Sequence, residues 1–173
     1  MEHTFLLRYR LPEDMATEEV VERLGAAGCD DALVGTGVPG RMALDFSREA
    51  ESAGAALLSA MRDIREALPE ARLVEAEPDL VGLTEAAWRV GVSRQNLHKM
   101  MKRHPGTFPS PVHAGSMAIW HLSDLLGWLK VHQGYELPAG LEELADAAKQ
   151  VNLVCRAAAL EPGISDEVRR LIA

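Results

Sequence analysis

The stretch from Leu83 to Arg103 constrains the fold of this chain more than any other, because it predicts two short helices joined by a tight turn. Gly91 marks the turn, and Ser93 is a typical N-cap for the second helix. Ala87 lies four residues before Gly91, where a small side chain lets two helices cross closely. Apolar residues occupy the positions that would be buried between the helices: Ala86, Val90, Val92, Leu97 and Met100.

The charge of the central segment is opposite to that of the rest of the chain. The 173 residues have a formal net charge of −8, and residues 1–80 alone carry 8 Lys/Arg against 17 Asp/Glu. Residues 81–133 carry 6 against 2, whereas residues 134–173 carry 4 against 7. A basic surface on an acidic body can bind a duplex locally while the body repels wrong placements. DNA binding is therefore the leading hypothesis.

Helical periodicity predicts which side chains the second helix presents to solvent. If Leu97 faces inward, a step of about 100° per residue separates the remaining positions into an outer face and two flanks. The outer face carries Gln95, Lys99 and Lys102. The flanks carry Asn96, His98 and Arg103. The alternative interpretation is an ordinary solvated helix face, as most runs of charge are.

The residue types on this helix suit the edges of bases and the phosphates of DNA. Gln and Asn can bond adenine through two hydrogen bonds, and Lys can reach guanine. We predict base contacts from Gln95, Asn96 and Lys99. Phosphate contacts are predicted from Arg94, Lys102 and Arg103, beside the helix amides that Ser93 caps. Thr84 is expected to cap the preceding helix and touch the DNA backbone, and His113 to contact a phosphate.

The pattern resembles the helix-turn-helix signature over about twenty residues. The helix pair leads to Phe108-Pro109, a predicted hairpin around Gly115, and Ile119-Trp120 before a helix capped by Ser123. These features resemble the wing and following helix of MerR/AlpA-type winged domains. The resemblance covers about residues 80–130 and implies a winged helix-turn-helix that binds double-stranded DNA. The wing departs from the family pattern, because the tip residues 113–117 include no Arg or Lys.

The first part of the chain predicts the order β-α-β-β-α-β over residues 4–77. The predicted elements are Phe5–Leu11, Thr17–Leu24 capped by Thr17, the hairpin strands Ala32–Thr36 and Arg41–Phe46, the helix Ser52–Leu68, and Ala71–Ala76. This order resembles a ferredoxin-like domain. The G-x-G-x-x-G pattern at residues 35–40 runs into a strand, which favours a hairpin over a dinucleotide site.

The expected fold class is α+β with three segments. Residues 1–78 form a ferredoxin-like dimerisation or sensing domain, residues 79–133 the winged helix-turn-helix, and residues 134–173 a helical tail that could support dimerisation. Residues 77–79 are predicted to be a linker. A long helix is predicted over Leu141–Leu160, and a last one opens at Ser165.

Several classes of protein are not expected. No apolar run approaches the roughly 20 residues of a membrane span, and the first residues do not resemble a signal peptide, so we expect a cytoplasmic protein. Cys29 and Cys155 are expected to be buried and reduced. The three tryptophans are expected in the core of the winged domain. The histidines show no ligand spacing, so no metal, cofactor or enzymatic activity is predicted.

Three functions remain open from the sequence. The first is a dimeric transcription regulator that reads an inverted repeat, since about four net positive charges predict weak binding by one copy. The second is an architectural DNA binder resembling small excisionases. The third is a protein-interaction adaptor whose helix-turn-helix no longer reads DNA, with a possible protein partner for the acidic N-terminal domain.

Overall fold

The computed structural model describes residues 1–172, and it has the mixed α+β class expected from the sequence. These residues form seven helices and two antiparallel sheets. The strands are β1 (Glu2–Arg10), β2 (Ala32–Gly35), β3 (Arg41–Glu49), β4 (Arg72–Glu77), β5 (Leu80–Val81), β6 (His113–Ala114) and β7 (Ala118–His121). The helices are α1 (Thr17–Ala26), α2 (Ala53–Ala67), α3 (Leu83–Arg89), α4 (Arg94–Arg103), α5 (Leu122–Gln133), α6 (Leu141–Ala157) and α7 (Pro162–Ile172). The predicted third segment ends at Ala173, which lies outside the described residues.

The first sheet has the strand order β2-β3-β1-β4, with every neighbouring pair antiparallel. Side chains alternate along its two central strands, so that one face packs against α1 and α2 while the other meets solvent. The core between sheet and helices is largely aliphatic, with Phe5 stacked on Phe46. The hairpin predicted around residues 37–40 joins β2 to β3.

A buried arginine of β3 connects this sheet to α2 and to the residue that precedes β2. Arg48 is 8% exposed, and its guanidinium donates to both carboxylate oxygens of Asp31 at 2.7 and 3.0 Å. It also donates to Asp63 at 2.6 Å and to Ser59 at 3.2 Å, both on α2. Hydrogen bonding to Asp31 is the largest influence that raises the pKa of Arg48, so the guanidinium stays charged.

The second sheet has the order β5-β7-β6 and packs with α3, α4 and α5 around a separate core that includes Phe108, Trp120 and Trp128. The Trp120 indole donates to the carbonyl of Pro109 at 2.9 Å, and the Trp128 indole donates to the hydroxyl of Thr107 at 3.3 Å. Phe108 lies edge-on against both rings. These bonds satisfy the indole N–H groups that burial would otherwise leave without acceptors.

The predicted linker at residues 77–79 is instead a buried junction. Asp79 is 1% exposed, and its carboxylate lies 2.5 Å from Nδ1 of His121 and accepts from Asn152 at 2.8 Å. Asn152 also exchanges two 2.8 Å hydrogen bonds with the backbone of Ala76, on the edge strand β4. The prediction of a linker was wrong because these partners are distant in sequence and give no local signal.

Helix α6 packs against both cores rather than forming a separate tail. Leu144 and Ala148 belong to the first core, and Ala145 belongs to the second. In contrast, no residue of α7 is buried. None of the helices in the described part of the chain combines the length and hydrophobicity that a membrane span requires.

Two predicted N-caps, at Thr17 and Ser123, and one predicted helix start, at Ser165, were wrong. Helix α1 begins at Thr17 itself, with Ala16 as its N-cap and no side-chain cap. Helix α5 begins at Leu122, whose amide donates to the carbonyl of Asp79 at 2.7 Å, so Ser123 lies inside the helix. Helix α7 begins at Pro162 rather than Ser165, because proline suits the first helical position.

Candidate nucleic-acid interface

The turn between α3 and α4 is built as the sequence predicts. Gly91 has φ of +71°, a left-handed conformation that glycine adopts without steric cost. The amide of Val92 donates to the carbonyl of Ala87 at 2.9 Å, which closes the turn. Ser93 is the N-cap of α4, and its hydroxyl accepts from the amide of Asn96 at 3.1 Å. The predicted capping role of Ser93 is confirmed.

The inner face of α4 fixes which side chains are presented outward. Leu97 is 0% exposed and Met100 is buried, while Ala86 and Ala87 are buried on α3. This packing confirms the orientation predicted from the helical period. The outward and flanking residues Arg94, Gln95, Asn96, Lys99, Lys102 and Arg103 are all exposed.

The cations of α4 have no internal counter-ion. Within residues 1–172, no carboxylate oxygen lies within 4.0 Å of the nitrogens of Arg94, Lys99, Lys102 or Arg103. Glu85, on the preceding helix, is engaged by Arg89 at 2.8 Å. The helix therefore presents four positive charges that ion pairing within the chain does not neutralise.

Asn96 is less free than its neighbours. Its side-chain nitrogen donates to the hydroxyl of Tyr135 at 3.2 Å. Tyr135 follows α5 and is 39 residues away in sequence, so no local pattern could have connected the two. This hydrogen bond holds the Asn96 amide in one orientation, and reading a base with both of its polar atoms would require breaking it.

Thr84, Arg94 and His98 line a cavity of about 830 Å³ between the two helices and the wing. Thr84 does not cap α3, because that helix begins at Leu83 with Gly82 as its N-cap. The predicted cap was wrong by two positions, and Thr84 is instead an exposed residue in the lining of the cavity. Ser116 and Met117, from the wing, close the opposite side of the cavity.

The wing is the short hairpin expected around Gly115, formed by β6 and β7. His113 is exposed, and its ring lies so close over Gly115 that a Cβ there would collide with the imidazole. Met117 is exposed at the tip. This hairpin thus presents an imidazole and a thioether to solvent, and Met117 lines the cavity.

Trp88 is not a core residue, which corrects the expectation for the three tryptophans. Its side chain is 76% exposed on α3, and the guanidinium of Arg89 lies 5.8 Å from the ring centroid. Trp120 and Trp128 are buried as expected. Trp88 follows the buried Ala87 directly, and a rotation of about 100° carries it out of the helix interface.

The central histidines other than His98 and His113 contact the ring of Trp128 or belong to the junction at Asp79. His132 stacks on Trp128 at 5.3 Å, His104 lies tilted against the same ring, and His121 pairs with Asp79. Across residues 1–172, no three His, Cys, Asp or Glu side chains are grouped to hold a metal ion. Cys29 is buried, and burial raises the pKa of its thiol to about 11, whereas Cys155 is only half-buried.

Compared with known protein families, curated proteins and solved structures, the chain has no match.

Proposed function

We propose that this chain is a cytoplasmic, dimeric, sequence-specific DNA-binding transcription regulator that reads an inverted repeat with α4. The observation that carries the proposal is the exposed surface of α4, which presents Gln95 together with four cations that have no internal ion-pair partner. Cations that are exposed and unpaired can exchange their counter-ions for DNA phosphates without first breaking an ion pair. A helix capped by Ser93 and anchored by Leu97 holds them in a fixed orientation.

Two fold assignments accompany this proposal. Residues 79–133 are proposed to be a winged helix-turn-helix of the MerR/AlpA type, supported by the Gly91 turn and the β6–β7 hairpin. Residues 1–78 are proposed to be a ferredoxin-like domain, supported by the antiparallel strand order β2-β3-β1-β4 with both helices on one face. The division into units follows the two separate hydrophobic cores.

Within the interface, Gln95 and Lys99 are proposed to contact bases. Asn96 is proposed to do the same after its hydrogen bond to Tyr135 is broken. Arg94, Lys102 and Arg103 are proposed to contact phosphates, which take most protein–DNA hydrogen bonds. Thr84 on α3, His98 on α4 and His113 on the wing are proposed to contact DNA at the sides of this interface. Because the wing has no cation, the helix supplies most of the electrostatic attraction.

Dimerisation is proposed because this chain has two apolar surfaces that are both uncovered. One is a groove of about 420 Å³ between α2 and α6, lined chiefly by Leu57, Leu58, Met61, Val151, Val154 and Cys155. The other is a face of α7 with Ile164, Val168, Leu171 and Ile172 exposed. Exposed apolar side chains gathered on one face of a helix are typical of an interaction surface.

A second copy is proposed as the source of the helix that fills the groove. Within one copy no residue of α7 is buried, so α7 does not cover the groove between α2 and α6. Residues 158–160 continue in helical turns beyond the end of α6. Reciprocal exchange would cover both apolar surfaces in a symmetric dimer.

Two measurements test the dimer. We expect sedimentation velocity to show a dimer for the full chain and a monomer for chains ending at Leu160, with Val131→Glu on α5 as the control. A short bismaleimide should join Val168→Cys to Cys155 of another copy, and Cys155→Ala should abolish that product. A cross-link within one chain, or a dimer that survives removal of α7, would contradict the exchange.

The experiment that tests DNA binding is a selection of genomic fragments by the purified protein at about 150 mM salt, with sequencing of the bound DNA. We expect an inverted repeat whose half-site centres are about 34–36 Å apart, or a multiple of that distance. Cooperative assembly along repeated sites would instead indicate an architectural DNA binder. No enrichment over random DNA would reject sequence-specific binding.

The second candidate is a protein-interaction adaptor, and Trp88 is the observation that favours it. An aromatic side chain that is largely exposed beside an arginine is typical of the residues that dominate protein interfaces. If the adaptor hypothesis holds, Trp88→Ala should abolish partner capture, and the α4 variants should leave it unchanged.

A further inference from the structure

Three arginines lie in a row across the open face of the first sheet. Arg10, the last residue of β1, is directly opposite Arg41 of β3 and directly opposite Arg72 of β4. Residues paired in this way point to the same face, and neighbouring Cβ atoms are about 5 Å apart. All three are exposed, on the face opposite to the one that packs against the helices.

Nothing within the described residues neutralises this row. None of the three guanidiniums has a carboxylate within 4.0 Å or a hydrogen-bond acceptor in residues 1–172, although residues 1–80 carry more than twice as many acidic as basic side chains. Like charges directly opposite each other on neighbouring strands destabilise a sheet. A row that is unfavourable for folding and lies in an acidic region is better explained by a ligand than by stability.

A cavity of about 500 Å³ adjoins the row. Arg10 and Arg41 line it together with Arg8, whose guanidinium is paired with Glu77. Val38 and Val74 add apolar surface to the lining, to which Gly35 also belongs. The cavity thus combines two unpaired cations with an apolar wall, an arrangement suited to an organic molecule that carries several negative charges.

We propose that this face binds a compact polyanion whose closely spaced oxyanion groups, phosphate or carboxylate, lie across Arg41, Arg10 and Arg72. The planar guanidinium presents its donors as a fork that matches both kinds of oxyanion. A ligand with at least two such groups can bridge adjacent arginines and remove their mutual repulsion. The site lies on a different unit from α4 and does not depend on DNA binding by that helix.

Titration calorimetry with inorganic pyrophosphate, repeated with citrate, tests the site at constant ionic strength. We expect saturable binding to the full chain and a loss of affinity of at least about tenfold in Arg10→Gln, because the central arginine of the row would no longer donate charge-assisted hydrogen bonds to the anion. Arg62→Gln on α2, also exposed, is the matched control and should bind as the parent chain does. Tighter binding of pyrophosphate identifies a phosphate ligand, and tighter binding of citrate a carboxylate ligand.

Thermal unfolding supplies a second measurement that does not depend on heat of binding. Without an added anion, Arg10→Gln should unfold at a higher temperature than the parent chain, because repulsion in the row is relieved. With pyrophosphate, the parent chain should gain stability and Arg10→Gln should not.

Three outcomes would overturn the proposal. The first is that pyrophosphate and citrate both bind no more tightly than chloride. The second is that Arg62→Gln loses as much affinity for the anion as Arg10→Gln does. The third is that Arg10→Gln binds duplex DNA more weakly than the parent chain when neither pyrophosphate nor citrate is present. The last result would assign the row to the DNA surface. Failure of DNA binding alone, with pyrophosphate or citrate still bound, would reject the proposed function and leave this site intact.

Discussion

Two regions of the molecule hold positive charge in opposite ways: the surroundings of Arg48 in the first unit, and the surface of α4 in the second. In the first, Arg48 is buried and its guanidinium is bonded to Asp31, Asp63 and Ser59. In the second, the cations of α4 stand in solvent without a counter-ion among residues 1–172. A charge that is satisfied inside the fold contributes to stability, whereas a charge left exposed on a rigid helix is available to a partner. Removing one or the other should therefore affect different measurements.

The largest effect is expected from Arg48→Ala, which leaves two carboxylates without their shared cation. We expect the free energy of unfolding to fall by about 3 kcal/mol, measured by urea denaturation. Arg62→Ala, at an exposed position of α2, is the control and should change stability by less than about 0.5 kcal/mol. If Arg48→Ala keeps the full free energy of unfolding but loses affinity for DNA, the contrast between Arg48 and the cations of α4 is wrong.

The next effect concerns the junction that joins the units. Asn152→Ala would leave the backbone N–H and carbonyl of Ala76 and one oxygen of Asp79 without their present partner. Because unsatisfied buried groups are costly, we expect a loss of about 2 kcal/mol in the free energy of unfolding. Leu153→Ala, at the exposed neighbouring position, is the control. Equal losses in the two variants would show that Asn152 contributes only packing.

Gln95→Ala should affect binding and leave stability unchanged. On the site recovered by selection we expect a loss of roughly 1–3 kcal/mol in binding free energy and a relaxed preference at one base pair. Fluorescence anisotropy with duplexes altered one base pair at a time measures both. An equal loss on every duplex would contradict a base-reading role for Gln95.

The smallest effect is expected from Lys102→Ala, which removes one proposed phosphate contact. Affinity should fall uniformly across sequences, and the slope of log affinity against log salt should flatten by about one unit. The measurement is a salt titration on selected and random duplexes. If Gln95→Ala and Lys102→Ala behave alike on both, our division between base and phosphate contacts is wrong.

Local features of the sequence predicted much of this fold. Alternation along β1 and β3, the glycine at the 91 turn and the serine cap of α4 act through nearest neighbours, so a single sequence reveals them. The outward face of α4 could be deduced by placing Leu97 in the core. Its function stays a prediction, because exposure and charge describe a surface without naming what binds there.

The features that the sequence did not predict depend on distant partners. Asp79 lies 42 residues from His121 and 73 from Asn152, and a short Glu-Pro-Asp stretch looks like a linker until those partners are brought together. Asn96 meets Tyr135 over a comparable distance. The prediction for Trp88 was wrong for another reason. Tryptophan is usually buried, but a rotation of about 100° from the buried Ala87 turns the Trp88 side chain toward solvent.

The amide of Asn152 has a consequence for the behaviour of the chain in a crowded solution. Strand β4 is an edge of its sheet, and an edge with free N–H and C=O groups is a template on which other chains can add strands. By occupying both groups of Ala76, α6 denies that position to an incoming strand. The helix that packs against both cores therefore also blocks strand addition at this position of β4, and it does so through one polar side chain, Asn152.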